Sequence, residues 1–203
     1  MLLGAYGGLR FGEASALRVV HLRLLERRVE IAEGSSEVRG HVYLGPLKTK
    51  ESRRTVTIPA FLADELGRHL GNLPELEGSN ASSSGRDLVF PAPEGGPLRR
   101  TNFRRRFWAP AVTLADLRGS PTFHDLRHTA VALAIAEGAH PKAIQARLGH
   151  ASITTTLNVY GHLLPSLEVE LAERLDAART QALAARVRRG AGPAVVPIER
   201  TSR

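Results

Sequence analysis

The 203-residue sequence contains no cysteine. That removes disulfides, thiolate-ligated zinc and a thiol nucleophile together, so any nucleophile must be an oxygen or a nitrogen. Lysine is almost as scarce: Lys48, Lys50 and Lys142 are the only lysines among 28 Lys+Arg, the rest being arginines. Aromatics make up 5% of the chain. No apolar run approaches the roughly 18 residues of a membrane span, and no basic segment, apolar core and small-residue cleavage site open the chain. A cytoplasmic protein without a membrane partner is expected. What is present is a globular composition, 42% hydrophobic and 24% charged, with a net charge of +8. That charge points to a polyanionic partner, nucleic acid ahead of membrane.

Periodicity predicts a helix over Met1 to Arg18, already in progress at its start, with Leu2, Leu3, Tyr6, Leu9 and Leu17 on a buried side. Between Val19 and Pro59 the pattern turns to β segments, about residues 28–33, 41–44 and 53–58. Gly34-Ser35-Ser36, Gly40 and Lys-Thr-Lys-Glu-Ser read as the turns of one small antiparallel sheet. A helix follows from Pro59 to about Leu70, then a surface loop at 77–86. The second half reads as helical. Thr122 with Asp125 caps a helix, with Phe123, Leu126, Ala130 and Leu133 in a three-four rhythm that Gly138 stops. Further helices are expected from Pro141 to Gly149, from Ser152 to Tyr160 and from Ser166 to about Arg188, ahead of a tail from Gly190. The fold class is α+β and mainly helical.

Four short stretches draw attention: Gly8-Leu9-Arg10-Phe11-Gly12-Glu13, Leu47-Lys48-Thr49-Lys50, His124-Asp125-Leu126-Arg127-His128, and Leu148-Gly149-His150 with Tyr160 ten residues on. Singly, each has a bland reading as a surface ion pair, a solvated hairpin tip, a solvated helix face or a helix end. In order they resemble the catalytic domain of the tyrosine recombinases, the phage-integrase type. The matching patterns are Gly-Leu-Arg-x-Gly-Glu, Lys-Thr-Lys-x-Ser-x-Arg, His-x-x-Arg-His, Leu-Gly-His and Thr-Thr-Leu-Asn-Val-Tyr-Gly-His, across about Leu2 to Leu164.

The resemblance implies Arg10, Lys48, His124, Arg127, His150 and Tyr160 as catalytic residues, with Glu13 in support. It implies double-stranded DNA as partner, no cofactor, and strand cleavage through a 3′-phosphotyrosyl ester. The residue types suit that chemistry. A tyrosine hydroxyl is an oxygen nucleophile that stays attached, two guanidiniums offer forked donors to a phosphorane, and an imidazole can take the tyrosine proton where arginine cannot. His124 is the expected acceptor. His128 and His162 are expected to orient neighbours. Lys48 is the expected general acid for the leaving 5′-oxygen, with Lys50 its rival by proximity. Arg99, Arg100, Arg104, Arg105 and Arg106 form the densest basic cluster, with Phe103, Phe107 and Trp108 spaced to enter the core while the arginines and Lys50 face DNA phosphates.

The family usually carries a helical DNA-binding domain before the catalytic one. The expectation is therefore a truncated catalytic domain over 1–189 with a flexible tail at 190–203. It would be a monomer by itself, and a DNA-dependent homotetramer when the other domain is present. Two rival classes keep the fold without recombination: a non-catalytic DNA-binding remnant, and a relaxing enzyme like the type IB topoisomerases.

Overall fold

The computed structural model describes residues 1–47, 49, 52–73, 87–93 and 95–161, and the helical backbone of 167–188. Lys48, Lys50, the 77–86 loop, Ser166 and the tail from Gly190 lie outside the described residues. The chain divides into two units, Met1–Leu163 and Leu164–Arg203.

The first 18 residues are two helices rather than the single one expected, α1 (Leu2–Gly7) and α2 (Phe11–Ser15). The break has a local cause. Gly8 adopts φ 70°, which ends α1, and Arg10 is extended as the N-cap of α2. A side chain at Gly8 would also stand 3.0 Å from a Leu148 methyl. Leu3, Leu9 and Leu17 are buried as expected, but Leu2 and Tyr6 are exposed, because the inward face of α1 runs through Leu3, Gly4 and Gly7.

The β region is two small antiparallel sheets where one was expected. Strands β1 (Leu22–Arg23), β2 (Arg28–Ile31) and β5 (Arg54–Thr57) form one in the order β1-β2-β5. Strands β3 (Glu33–Val38) and β4 (His41–Pro46) form a hairpin. Gly34-Ser35-Ser36, read as a turn, is thus strand, since its backbone finds partners in Leu44 to Gly45 and Tyr43 that local propensity does not reveal. In β5 burial alternates, Arg54 and Val56 inward and Thr55 and Thr57 outward.

Helix α3 (Ala60–Gly71) follows Pro59 and lays Leu62, Ala63 and Leu66 on a core formed with Leu3, Leu9, Leu17, Val29, Ile31, Val56, Ile58 and Val89. The 87–90 segment is stitched alongside by Val89 N–H to Leu17 O and Val19 N–H to Asp87 O, both 2.8 Å. A continuous helical stretch comprises α4 (Arg100–Phe103), a π-helical turn (Arg104–Trp108) and α5 (Ala109–Leu114). Trp108 is buried and donates to Pro121 O at 2.7 Å, and Phe103 is half-buried, but Phe107 is 45% exposed, contrary to the expected spacing. The π turn changes the angular step between residues, so a 3.6-residue count misplaces Phe107.

Helices α6 (Asp125–Ala136), α7 (Pro141–Leu148) and α8 (Ile153–Tyr160) occupy the expected segments. Thr122 N–H and hydroxyl both donate to Asp125 Oδ2, and Ser152 Oγ accepts from Thr154 N–H. The buried face of α6 is Arg127, Ala130, Val131 and Ile135, while Leu133 is 41% exposed, a correction to the expected rhythm. In the second unit α9 (Leu167–Arg188) matches the expected long helix, and Leu175 and Ala178 are exposed. Among the described residues no helix is long and apolar enough to cross a membrane. These elements make an α+β, mainly helical fold with small antiparallel sheets.

One contact fixes the β3–β4 hairpin against α2. A Cβ at Gly12 would meet Ser35 O at 2.6 Å, and Ser15 Oγ lies 2.6 Å from Ser35 Oγ. Gly12→Ala should therefore lower stability by about 1–3 kcal/mol through overpacking, read as a reduced urea midpoint at unchanged slope. A midpoint equal to wild type would mean that the hairpin yields freely.

Candidate active site

Four of the expected site residues sit where an element starts or stops. Arg10 is the N-cap of α2, and His124 that of α6. His150 follows the left-handed Gly149 that ends α7, and Tyr160 is the last residue of α8. An aromatic cluster sets the first two side by side: Phe11, next to Arg10, meets Phe123, next to His124, edge to face at 5.7 Å, with Phe103 packed against both.

Arg127 is buried on the inner face of α6, where its guanidinium donates to Gly8 O and Leu148 O, each at 2.6 Å. It thereby joins the turn before Arg10 to the end of α7. Burial first, then the nearby Arg10, lowers its pKa to about 10, and it stays a cation at neutral pH. Arg10 is more open, with 42% of its side chain exposed.

Glu13 is 3% exposed and reaches back from the first turn of α2 to support Arg10. Its Oε2 accepts from Arg10 N–H at 2.8 Å and its Oε1 from the Arg10 guanidinium at 3.0 Å. The same two oxygens accept a fork from Arg54, at 3.0 and 2.9 Å. Burial alone would raise the carboxyl's pKa, but the hydrogen bonds and charges of Arg54 and Arg10 outweigh it and hold the group below its ordinary value.

His150 Nδ1 lies 2.9 Å from the buried Thr156 Oγ1. Burial first, then Arg127, Arg10 and Arg54, pushes its pKa down to about 4, so the ring is neutral at physiological pH. Gln145 spans the turn by donating to His150 O at 2.9 Å. Tyr160 is buried, and its hydroxyl lies 2.8 Å from Nδ1 of His128 rather than on His124, the acceptor expected from the sequence. Burial raises the phenol's pKa against the opposing pull of Arg127. The ring of His124 stands edge to face against His128 at 5.2 Å, and its own pKa is lowered by burial, then by His128, Arg127 and Arg10.

The electrostatic influences of Arg10 and Arg127 on His124 and His150, and of Arg127 on Tyr160, place these five side chains within one field. Lys48 lies outside the described residues, but Leu47 and Thr49 on either side of it line a groove of about 600 Å³ with Arg10, Glu13, Ser52 and Arg100. Arg100 and Arg104 also border a cavity of about 420 Å³ with Arg10 and His124, Arg100 lying 5.6 Å over the Phe11 ring. Arg99 and Arg106 line a separate groove with Tyr43 and Phe107. Arg105 is exposed. Of the arginine cluster, Arg100 and Arg104 therefore flank the site. Among the described residues no group of three His, Asp or Glu is gathered as a metal ion would need.

Arg54 carried no expected role in the site, and His128, expected only to orient neighbours, meets the Tyr160 hydroxyl itself. Arg54 had a legible signal, since a charged residue in phase with Val56 and Ile58 points inward on a strand and must find a partner. His128 had only its four-residue spacing from His124, which places both on one side of α6.

The phage integrase family profile matches residues 1–166, and the chain belongs to that family. The ICEBs1 integrase of Bacillus subtilis (strain 168) is 32% identical over 171 residues, covering 83% of this chain and 45% of that protein. The integrase of Staphylococcus phage L54a is 27% identical over 175 residues, covering 85% and 49%. The chain thus spans about half the length of these curated relatives. In fold it resembles the Tn1549 transposon integrase in complex with circular intermediate DNA, at TM-score 0.71 and 23% identity over 86% of this chain and 58% of that one. It also resembles the catalytic domain of bacteriophage HP1 integrase, at TM-score 0.52 and 20% identity over 84% and 77%.

The low pKa of His150 has a measurable consequence. Between the ordinary histidine value near 6.5 and about 4, the unfolded chain binds a proton that the native ring refuses. Stability should fall as pH drops through that window and level off below it, His124 adding to the same slope. The urea midpoint should decline from pH 6.5 to 4.5, and less steeply in His150→Gln. A His150 ring that titrates near 6.5 by NMR would contradict this.

Proposed function

We propose that this chain is the catalytic part of a site-specific DNA recombinase of the integrase type, which breaks and rejoins strands through a covalent bond to Tyr160. The observation that carries the reading is the gathering of Arg10, Arg127, His124, His150 and Tyr160 from four separate segments into one positive field around the only buried tyrosine among the described residues. Binding of double-stranded DNA accords with the net charge of +8, and with the DNA bound in the complex of the similar Tn1549 integrase. The arginine cluster at 99–106 and Lys50 supply phosphate contacts, which position a duplex without reading its sequence. The catalytic domain in this reading runs over 1–189 with 190–203 as a tail. The free chain is a monomer, and four copies assemble on DNA only with the family's other domain.

Tyr160 Oη attacks the scissile phosphorus and the bond to the 5′-oxygen breaks, leaving a 3′-phosphotyrosyl ester. The number of ester bonds is unchanged, so the energy of the phosphodiester is kept without ATP, and a strand hydroxyl can reverse the step. A phenol of raised pKa needs an acceptor. Its hydrogen-bond partner His128 takes the proton, while neutral His124 turns a ring N–H to the phosphate. Arg10 presents an open fork and Arg127 a pinned one to the non-bridging oxygens, where charge grows most in the phosphorane. Nδ1 of His150 lies 2.9 Å from Thr156 Oγ1, and the tautomer in which Thr156 donates there leaves the Nε2 proton for the same oxygens. Lys48 protonates the leaving 5′-oxygen.

On a nicked duplex, wild type should give a protein–DNA adduct on denaturing gels and Tyr160→Phe none. An undiminished adduct in the mutant removes the assignment. Arg10→Ala and Arg127→Ala should each slow adduct formation by roughly 10²- to 10³-fold with little loss of duplex binding. Equal losses would make them positioning contacts. A 5′-thio leaving group should rescue Lys48→Ala, since a thiolate departs unprotonated, whereas rescue confined to Lys50→Ala would transfer the role to Lys50. Relaxation of supercoiled plasmid without joining of two sites would indicate a topoisomerase instead.

A further inference from the structure

The strand residue Arg54 lies outside the expected catalytic set, yet its guanidinium touches three of the segments that build the site. Only 6% of its side chain is exposed. Two of its nitrogens fork onto Glu13, at 3.0 Å to Oε1 and 2.9 Å to Oε2, one of them also donates to Ser52 O at 3.1 Å, and Nε donates to Arg147 O at 2.7 Å. Arg147 O precedes Leu148 O, the acceptor of Arg127. Two buried arginines thus satisfy consecutive orphan carbonyls at the end of α7, immediately before Gly149 and His150.

We infer that Arg54 is a positioning residue for Arg10, acting through Glu13. This rests on the reading of Arg10 as a phosphate-binding fork. Each Glu13 oxygen is shared between one Arg10 donor and one Arg54 donor. The Arg54 fork fixes the plane of the carboxylate, and the carboxylate plane fixes the direction of the half-open Arg10 side chain. There is also a charge argument. Glu13 beside Arg10 alone would make a neutral pair with little pull on a phosphate. Arg54 neutralises Glu13, so the trio carries one net positive charge, and the exposed member, Arg10, displays it. Lysine retains that charge but has no planar fork, so Arg54→Lys separates orientation from charge.

The test compares Arg54→Lys, Glu13→Gln, the double variant and Arg53→Ala, whose exposed arginine pairs only with Glu30 on the outer face among its described partners. Adduct formation on a nicked duplex should slow roughly 10- to 100-fold in Arg54→Lys, at unchanged duplex affinity by anisotropy, and remain at the wild-type rate in Arg53→Ala. In the Glu13→Gln background, Arg54→Lys should add little further loss. A merely structural Arg54 would instead lower melting temperature and affinity along with rate. A second readout needs no cleavage: in isotope-labelled protein, the Arg10 Nε–H signal, identified by its loss in Arg10→Lys, should shift and broaden in Arg54→Lys and stay unchanged in Arg53→Ala. An unchanged Arg10 signal in folded Arg54→Lys overturns the proposal, as does failure of both Arg54→Lys and Arg54→Gln to fold. Absence of any adduct in wild type would count against the strand-cleaving reading alone, the Arg10 signal still deciding the role of Arg54.

Discussion

A single buried carboxylate organises the site. Glu13 is held on both oxygens by two arginines, one from the turn before it and one 41 residues along the chain. An ionised group so placed is tolerable only while both cations remain, because removing either partner leaves charge in a poorly solvating interior. The fold must bring β5 against α2, and it does so by aligning β5 on β2 with Arg54 opposite Ile31. The close approach of Gly12 to Ser35 then sets the β3–β4 hairpin against α2.

Around that pair the site is assembled largely by backbone carbonyls. Arg127 reaches Gly8 O and Leu148 O, Arg54 reaches Ser52 O and Arg147 O, and Gln145 reaches His150 O. Helix ends and turns leave carbonyls without intrahelical partners, and buried cations answer that need while also creating the positive field. Burial first, and then that field, keeps His150 neutral, while the placement of the end of α8 beside α6 sets the Tyr160 hydroxyl 2.8 Å from Nδ1 of His128. Groups that stabilise the architecture and groups that would meet a phosphate are the same groups, which is why perturbed titration gathers there.

The elements that rest on local rules were legible. Pro141 and Gly149 bracket α7, Ser152 caps α8, and Leu3, Leu9 and Leu17 are buried as their spacing indicates. Errors arose where geometry departs from a uniform period. Gly8 breaks the first helix, a π turn displaces Phe107, and strand β3 forms from Gly-Ser-Ser because β4 pairs with it. The motif around Arg54 points to the lysines of its hairpin, whereas its phase with Val56 is what marks it as inward.

By itself the sequence determined the inventory and order of the chemistry: which residue types stand in which short patterns, where helices can start and stop, and the excess of arginine that favours a polyanion. Those properties are local, set by side-chain chemistry and backbone preference within a few residues. Only the tertiary structure decided partnerships: that Tyr160 meets His128 and not His124, that Glu13 is shared between Arg10 and Arg54, and that Arg127 spends donors on Gly8 and Leu148. A hydrogen bond is won or lost over a few tenths of an ångström. Distances of that order between residues 21 to 119 positions apart arise from packing of whole elements, which no single stretch of sequence contains.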